Sequence, residues 1–281
     1  MASRERPYIR RVVVSFFEPG AAAPTVIAVA TEFARVLHAE LLGLFIEDAL
    51  LFEAAEFSLL RTIEPRQLVW RSLSVAQLIE ANTLAARGVE RRLLREANAS
   101  GIAARFEVVR GEPAGVLARL SEPSDLLVIA EPADPIACAL PPYPRFAQAA
   151  LAASAAALFV PRRTRRLAGP VVALARGPDD PALALGAALA AALREQLIVL
   201  AEGTPEEQDD IARAARRAAG GGCVTLGLGA LSARSWLAAL RQALRSYRER
   251  LLILSRGAAE DAAPYFDLAS ERGVPLLMVG T

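Results

Sequence analysis

The chain has 281 residues, a mass of 29.9 kDa, 54% hydrophobic residues and a formal net charge of +1. This length accommodates two domains of ordinary size. The small net charge excludes the global basic field that nucleic-acid-binding proteins carry, so no nucleic-acid partner is expected. No uninterrupted apolar run reaches about 18 residues, so a transmembrane helix is not expected either.

The cysteines and the first residues indicate a cytoplasmic protein with free thiols. Cys138 and Cys223 lie far apart and have no metal-ligand spacing, so neither a disulfide nor a metal site is expected. Residues 1–11 are charged and lack the apolar region of a signal peptide. All 32 basic residues are arginines. Because they are spread over helix faces, a GC-rich coding sequence explains them better than phosphate recognition does.

The first half of the chain alternates short apolar runs with amphipathic patterns, which predicts strands followed by helices. The predicted strands are residues 12–17, 41–46, 106–109, 126–130 and 158–160. The predicted helices are residues 24–37, 68–98, 113–120 and 146–157. An extra segment at residues 48–70 is too apolar and too long for a simple connection. It predicts a lid over the carboxyl ends of the strands, or a pad that packs against a partner or the other half, and we favour the pad.

The second half repeats this order of elements. The predicted strands are residues 171–174, 197–200, 224–226, 251–254 and 276–279, and the predicted helices are residues 181–193, 205–219, 232–246 and 262–271. Strands that alternate with helices predict parallel βαβ units, and two rounds of five strands predict a tandem repeat. The predicted fold is α/β, with two tandem flavodoxin-like or Rossmann-like units. Each unit is an open five-stranded parallel sheet with helices on both faces.

A run of arginines marks the joint between the two halves. Residues 161–166 read Pro-Arg-Arg-Thr-Arg-Arg, and Gly169-Pro170 follows shortly after. The predicted domains are therefore residues 1–166 and residues 167–281. The run is compatible with a basic patch for an acidic partner. So short a run is more often a solvated linker, and we favour that interpretation.

Four short motifs stand in the first half: Arg-Val-Val-Val at 11–14, Gly-Leu-Phe-Ile-Glu-Asp at 43–48, Val-Arg-Gly-Glu-Pro at 109–113 and Asp-Leu-Leu-Val-Ile-Ala at 125–130. Together they resemble the universal stress protein superfamily in its tandem-domain form. The second half matches in layout more than in letters. The resemblance implies a ligand site outside the carboxyl ends of the strands, at the topological switch point. It also implies that the last strands of the two halves pair in an intramolecular pseudo-dimer, and homodimers are compatible with it.

The ATP-binding branch of this family has an aspartate near the end of its first strand and a glycine loop after its fourth. Phe17 takes the place of that aspartate in the first half, and no glycine occurs from Val116 to Ala168. Arg176 takes its place in the second half, where Ser255-Arg256-Gly257 lacks the spaced glycines of the loop. Such glycines let the backbone approach a triphosphate. The resemblance therefore implies degenerate ATP motifs, and we expect no cofactor.

Five charged residues remain as candidates for binding a ligand. Arg176, Arg256 and Arg234 in the second half are potential donors to an isolated anion. Glu47 and Asp48 end a predicted strand, where this fold places functional groups, so they could coordinate a cation or accept ligand hydroxyls. A solvated turn explains these two carboxylates equally well.

Other motifs give weaker signals. Gly227-Leu228-Gly229 is half of a dinucleotide fingerprint, and a tight turn explains it better. Cys138 is either a redox-sensitive thiol or, as we favour, a plain small residue. His38 is the only histidine, so a catalytic triad or a histidine metal site is not expected.

Two functional hypotheses follow. The first is a non-enzymatic regulatory or scaffold protein of the universal stress type, which acts through contacts with a partner protein or through self-association. The alternative is a stress sensor that binds a nucleotide or another small anion in a remodelled cleft. The missing phosphate loops and the apolar 48–70 segment favour the first hypothesis.

Overall fold

The structure is a computed structural model that describes residues 9–17, 23–57, 61–64, 69–132, 143–166, 168–229, 236–256 and 262–280. The strands are β1 (Arg11–Phe16), β2 (Glu40–Asp48), β3 (Arg61–Glu64), β4 (Val69–Ser72), β5 (Ala104–Gly111), β6 (Asp125–Ala130), β7 (Ala156–Val160), β8 (Val171–Ala175), β9 (Leu197–Glu202), β10 (Cys223–Gly229), β11 (Leu251–Ser255) and β12 (Leu276–Val279). The helices are α1 (Ala23–Leu37), α2 (Ala49–Glu56), α3 (Val75–Ala99), α4 (Pro113–Leu120), α5 (Tyr143–Ala153), α6 (Pro181–Leu193), α7 (Pro205–Ala218), α8 (Trp236–Leu244) and α9 (Ala263–Arg272).

The elements group into two compact units. One unit contains β6–β12 with α6–α9, and the other contains β1–β5 with α1–α5. The predicted α/β fold of tandem doubly wound units is confirmed. The boundary predicted at residue 166 does not coincide with this grouping, which is based on contacts, and it stays a prediction.

In the unit that contains β6–β12, the strands pair side by side in the order β10-β9-β8-β11-β12-β7-β6. Neighbours are parallel except β12 and β7, which pair antiparallel with Leu276 opposite Phe159 and Val279 opposite Ala156. This pairing joins the last strands of the two repeats. Every residue of β7, β8, β11 and β12 is buried, which is why these strands have continuous apolar sequences.

In the unit that contains β1–β5, strands β1, β2 and β5 are parallel neighbours in that order. Gly43 lies where β2 passes closest to the side chains that cover it. A Cβ at this position would lie 2.6 Å from the Phe106 ring and 2.7 Å from the side chain of Leu93. Glycine therefore permits the close packing of β2 against α3 and β5.

The apolar 48–70 segment forms α2 and an antiparallel hairpin of β3 and β4. Phe52 and Ala55 of α2 pack against Leu78 of α3. The helix predicted from residue 68 is wrong in its start, because residues 69–72 form β4. Helix α3 begins at Val75, where Ser74 and Gln77 exchange the two hydrogen bonds of a capping box.

Two other helices differ from their predicted bounds by more than one residue. Helix α5 ends at Ala153 instead of continuing to residue 157, because β7 already begins at Ala156. Helix α8 ends at Leu244, and the predicted start at residue 232 lies outside the described residues. Among the helices that the structure describes, none combines the length and the apolar character needed to cross a bilayer.

Candidate functional site

The second repeat has a topological switch point between β8 and β11. Its strand order, β10-β9-β8-β11-β12, reverses direction there, and doubly wound sheets bind ligands in the crevice at the carboxyl ends of such strands. Arg176 follows the end of β8, and Ser255 and Arg256 stand at the end of β11. The structure therefore brings two of the three predicted arginines to one edge of the sheet.

Asp180 places a carboxylate in this crevice. It is the N-cap of α6, and its carboxylate accepts hydrogen bonds from the backbone N–H of Ala182 at 2.9 Å and of Arg176 at 3.1 Å. The Ser255 hydroxyl donates to the same carboxylate at 3.2 Å. Backbone donors at a helix N-terminus are what a phosphate needs. The Asp180 carboxylate already uses one of them, the Ala182 N–H.

The Arg176 guanidinium is engaged with an acid and an aromatic ring. Its Nε donates to Glu202 Oε2 at 2.9 Å, and its Cζ lies 5.6 Å from the centre of the Trp236 ring. The Trp236 indole N–H donates to the same Glu202 oxygen at 2.5 Å. The ring of Tyr265 meets Trp236 edge-on at 5.4 Å, and burial raises the pKa of its phenol. Glu202 therefore neutralises Arg176, which reduces its capacity to bind an anion.

Arg256 differs from Arg176 because no carboxylate pairs with it among the described residues. Its Nη2 donates to the Ser154 hydroxyl at 3.1 Å, and its buried Nε has no hydrogen-bond partner there. Burial lowers the pKa of this guanidinium. A half-buried cation with an unused donor is a suitable binding group for a small anion. Arg234, the third predicted arginine, lies outside the described residues.

Glu47 and Asp48, at the end of β2, have local structural partners in the unit that contains β1–β5. The Arg110 guanidinium donates to Glu47 Oε2 from Nη2 at 2.8 Å and from Nε at 3.0 Å, and its Cζ lies 3.7 Å from the centre of the Phe52 ring. Asp48 is the N-cap of α2 and accepts from the Leu50 N–H at 3.0 Å. These contacts agree with a structural turn, and the proposed cation-binding role stays a prediction.

Phe17, which takes the place of the family's aspartate, and Glu131, which follows the fourth strand of the first half, also have partners. The Phe17 ring packs against Phe146 of α5 with centroids 4.9 Å apart. Glu131, which follows β6, is buried, and its carboxylate accepts a hydrogen bond from the Arg162 N–H at 2.9 Å. The following segment, residues 133–142 with Cys138, lies outside the described residues.

Metal binding finds no support in the described part of the chain. None of its His, Cys, Asp and Glu side chains form a group of three or more that could hold an ion. His38 is exposed just after α1, where a helix C-terminus favours a cation.

Sequence reasoning missed Asp180, Glu202, Trp236 and Tyr265. For Asp180 a signal existed, since an aspartate followed by proline is typical of an N-cap and the first helical position. For Glu202, Trp236 and Tyr265 none was available, because these residues come from three elements far apart in sequence. Only the folded structure shows that these three residues lie around Arg176.

Comparison with known proteins gives matches among solved structures. No family model matches the sequence, and no curated protein matches it. A universal stress protein from Archaeoglobus fulgidus DSM 4304 aligns with a TM-score of 0.65 and 12% identity, over 98% of each chain. A protein of unknown function from Pseudomonas aeruginosa PAO1 aligns with a TM-score of 0.57 and 12% identity, over 98% of this chain and 94% of that one. A proposed universal stress protein from Pseudomonas aeruginosa UCBPP-PA14 aligns with a TM-score of 0.52 and 11% identity, over the same shares. At these identities the likeness is one of fold, and the chain has the tandem α/β fold of the universal stress proteins.

Proposed function

We propose that the chain is a non-enzymatic regulatory or scaffold protein of the universal stress type, which acts in the cytoplasm through protein contacts. It does not bind ATP through the loop that the family uses. The observation that carries the proposal is the Asp180 carboxylate. It accepts from the Ala182 N–H at the N-terminus of α6, from the Arg176 N–H and from the Ser255 hydroxyl, which stands where the family's glycine loop would begin. A second negative charge brought there by a phosphate would be repelled.

The other positions of a nucleotide site support the same proposal. The salt bridge between Arg176 and Glu202 leaves little net positive charge at the end of β8. Phe17 presents a packed ring in place of a carboxylate that could hold a nucleoside hydroxyl or a metal ion. Phosphoryl transfer needs a Mg²⁺–phosphate site, and the described residues supply no cluster of metal ligands.

Exposed apolar side chains on α2 support a role in protein contacts. Leu50, Leu51 and Phe57 are 59%, 41% and 75% exposed, and Ile79 of the neighbouring α3 is 43% exposed. Leu50 and Leu51 are adjacent in sequence, and contiguous exposed apolar surface is typical of an interaction site. The segment that carries them is the one the sequence singled out as a pad, and its other face is already buried against α3.

Titration calorimetry with ATP and Mg²⁺ tests the proposal. We expect no binding by the wild-type protein up to millimolar ATP, and micromolar binding would contradict the proposal. Asp180→Ser is the matched variant, because serine retains an N-cap oxygen and removes the charge. We expect this variant to bind inorganic phosphate at least about tenfold more tightly than the wild type. Equal phosphate affinity of the two proteins would show that Asp180 does not block the crevice.

Arg256 favours a second candidate function, a sensor for a small anion. Its buried and unpartnered Nε and its lack of a carboxylate partner among the described residues distinguish it from Arg176. If this function is correct, inorganic phosphate or sulfate binds the wild type and Arg256→Gln abolishes the binding, while Arg241→Gln at an exposed ion pair leaves it unchanged. Native mass spectrometry of freshly purified protein that shows only the mass of the bare chain would count against this function.

A further inference from the structure

Four exposed arginines lie at the amino edge of the second-repeat sheet, and none of them makes an ion pair in the part of the chain that the structure describes. These residues, which we call the arginine edge, are Arg163, Arg165, Arg194 and Arg248. Arg194 precedes β9, Arg248 precedes β11, and Arg163 and Arg165 follow β7. Because β7 is antiparallel to β12, its carboxyl end lies beside the amino end of β12.

Backbone contacts connect these loops into one surface. The Arg165 N–H donates to the Gly273 carbonyl at 2.8 Å, and a Cβ on Gly273 would touch the Arg163 carbonyl. Gly169 adopts a φ of 126° against the carbonyl of Arg248. Its N–H donates to Glu195, the residue next to Arg194, at 3.0 Å. The four arginines therefore belong to contiguous loops of one unit.

The acidic side chains at this edge are already paired or buried. Glu249 has no solvent exposure and pairs with Arg272 and Arg166. Glu195 pairs with Arg250 at 3.5 Å. Glu131 is buried and accepts from the backbone of Arg162. The uncompensated charge at the surface is therefore positive, although the whole chain has a formal net charge of only +1.

The spacing of the arginine edge indicates the shape of its partner. Along the order β9-β8-β11-β12-β7 there are four inter-strand gaps, which span about 19 Å at the usual strand spacing. An extended peptide of about six residues covers that length. Planar guanidinium groups bind carboxylates in a bidentate manner. The row therefore fits an extended segment that is rich in aspartate and glutamate.

Two other polyanions fit less well. Single-stranded nucleic acid binds through aromatic side chains that stack on the bases, and a bilayer surface takes up apolar side chains between the headgroups. The exposed large hydrophobic residues of the described chain are in other segments, and none lies in the loops that carry the four arginines. Duplex nucleic acid is held through many phosphate contacts, and the arginine edge supplies only four guanidinium groups.

We infer that the arginine edge is a docking surface for an extended acidic segment of a partner protein. This inference rests on the proposed role in protein contacts and names a surface and a partner chemistry for it. It also gives a function to the arginine run at residues 161–166, for which sequence alone favoured a solvated linker. Docking requires neither the switch-point crevice nor the exposed side chains of α2.

The test is fluorescence anisotropy with a labelled twelve-residue peptide of alternating glutamate and aspartate. We expect micromolar affinity at low salt and weaker binding at high salt, because the contacts are exposed charges. The triple variant Arg163→Glu, Arg165→Glu, Arg248→Glu should lose at least about tenfold in affinity. The control, Arg87→Glu, Arg92→Glu, Arg95→Glu, reverses the same number of exposed arginines on α3 and should bind like the wild type.

Three outcomes would overturn the inference. They are absence of peptide binding by the wild type, equal loss of affinity in both triple variants, and tighter wild-type binding to oligo-dT or to phosphatidylserine vesicles than to the peptide. Circular dichroism confirms that each variant is folded, and Arg163→Gln, Arg165→Gln, Arg248→Gln replaces the charge-reversed variant if that one does not fold. ATP binding in calorimetry would contradict the proposed function without changing the peptide result, so the two failures are distinguishable.

Discussion

Glu249 is a carboxylate without solvent exposure, and two arginines surround it. Arg272 donates to it through Nε and, at 2.7 Å, through Nη2, and Arg166 approaches it at 3.5 Å. Arg272 also donates to the backbone carbonyls of Leu244 and Tyr247 at 2.8 Å and 3.0 Å. The hydrogen bonds that Arg272 donates to the Glu249 carboxylate raise the pKa of Arg272. The cluster therefore fixes the loop before β11 against the end of α9 and the inter-repeat segment.

Removing the carboxylate should destabilise the protein strongly. Glu249→Gln leaves the Arg272 guanidinium part-buried without its counter-charge, and breaking a buried pair in this way costs about 3 kcal/mol in the free energy of unfolding. Urea unfolding followed by circular dichroism measures the change. Glu271→Gln removes an exposed partner of Arg241 and should cost about 1 kcal/mol or less. Similar losses in both variants would show that the burial of Glu249 does not determine its contribution.

At the scale of elements, the two outer strands β10 and β5 carry different side chains. Strand β10 ends the strand order of its unit, and none of its residues from Cys223 to Gly229 is charged. Strand β5 pairs only with β2 among the described strands and presents exposed Arg105, Glu107 and Arg110. Charged residues on an outer strand prevent pairing with another chain. Only β5 has this protection.

Self-association through β10 is therefore expected at high concentration. Val224→Lys places a charge on β10 where the native side chain is 38% exposed, and it should shift the protein towards the monomer in sedimentation velocity. Val108→Lys on β5, where valine is 53% exposed, is the matched control and should leave the distribution unchanged. A wild-type protein that stays monomeric at all concentrations would refute this expectation.

Sequence periodicity predicted most elements because strands buried on both faces are continuous apolar runs. It failed at the start of α3, where residues 69–72 belong to a hairpin whose pairing depends on β3. The capping box of Ser74 and Gln77 was readable in the sequence and would have placed the start correctly. Local capping chemistry was thus more informative there than the amphipathic pattern.

The candidate site was predictable only in its position. The ends of the predicted strands located Arg176 and Arg256 at one edge of the sheet, because parallel strands bring their carboxyl ends to the same edge. Their different roles depend on partners that are distant in sequence. Glu202 and Trp236 engage Arg176, whereas Arg256 contacts Ser154, a residue 102 positions away. No pattern in one sequence reveals such pairings.

At the scale of the whole molecule, the compact units do not follow the two sequence repeats. Strands β6 and β7 come from the first repeat, yet they belong to the unit that contains the whole second repeat. The antiparallel pair of β7 and β12 is the reason, since it continues the second-repeat sheet with strands of the first. Residues 167–281 therefore share their compact unit with β6 and β7, and the predicted boundary at residue 166 stays a prediction.

A separately produced fragment of residues 168–281 should not behave as an independent domain. Without β7, strand β12 exposes one edge along Leu276–Val279, whose uncharged side chains are all buried in the intact chain. Unpaired apolar strands of this kind associate with other chains. Sedimentation velocity should show oligomers of the fragment at concentrations where the intact chain shows none, and urea unfolding should show a lower stability. A monomeric fragment that unfolds cooperatively and as late as the intact chain would instead support a domain boundary at the arginine run.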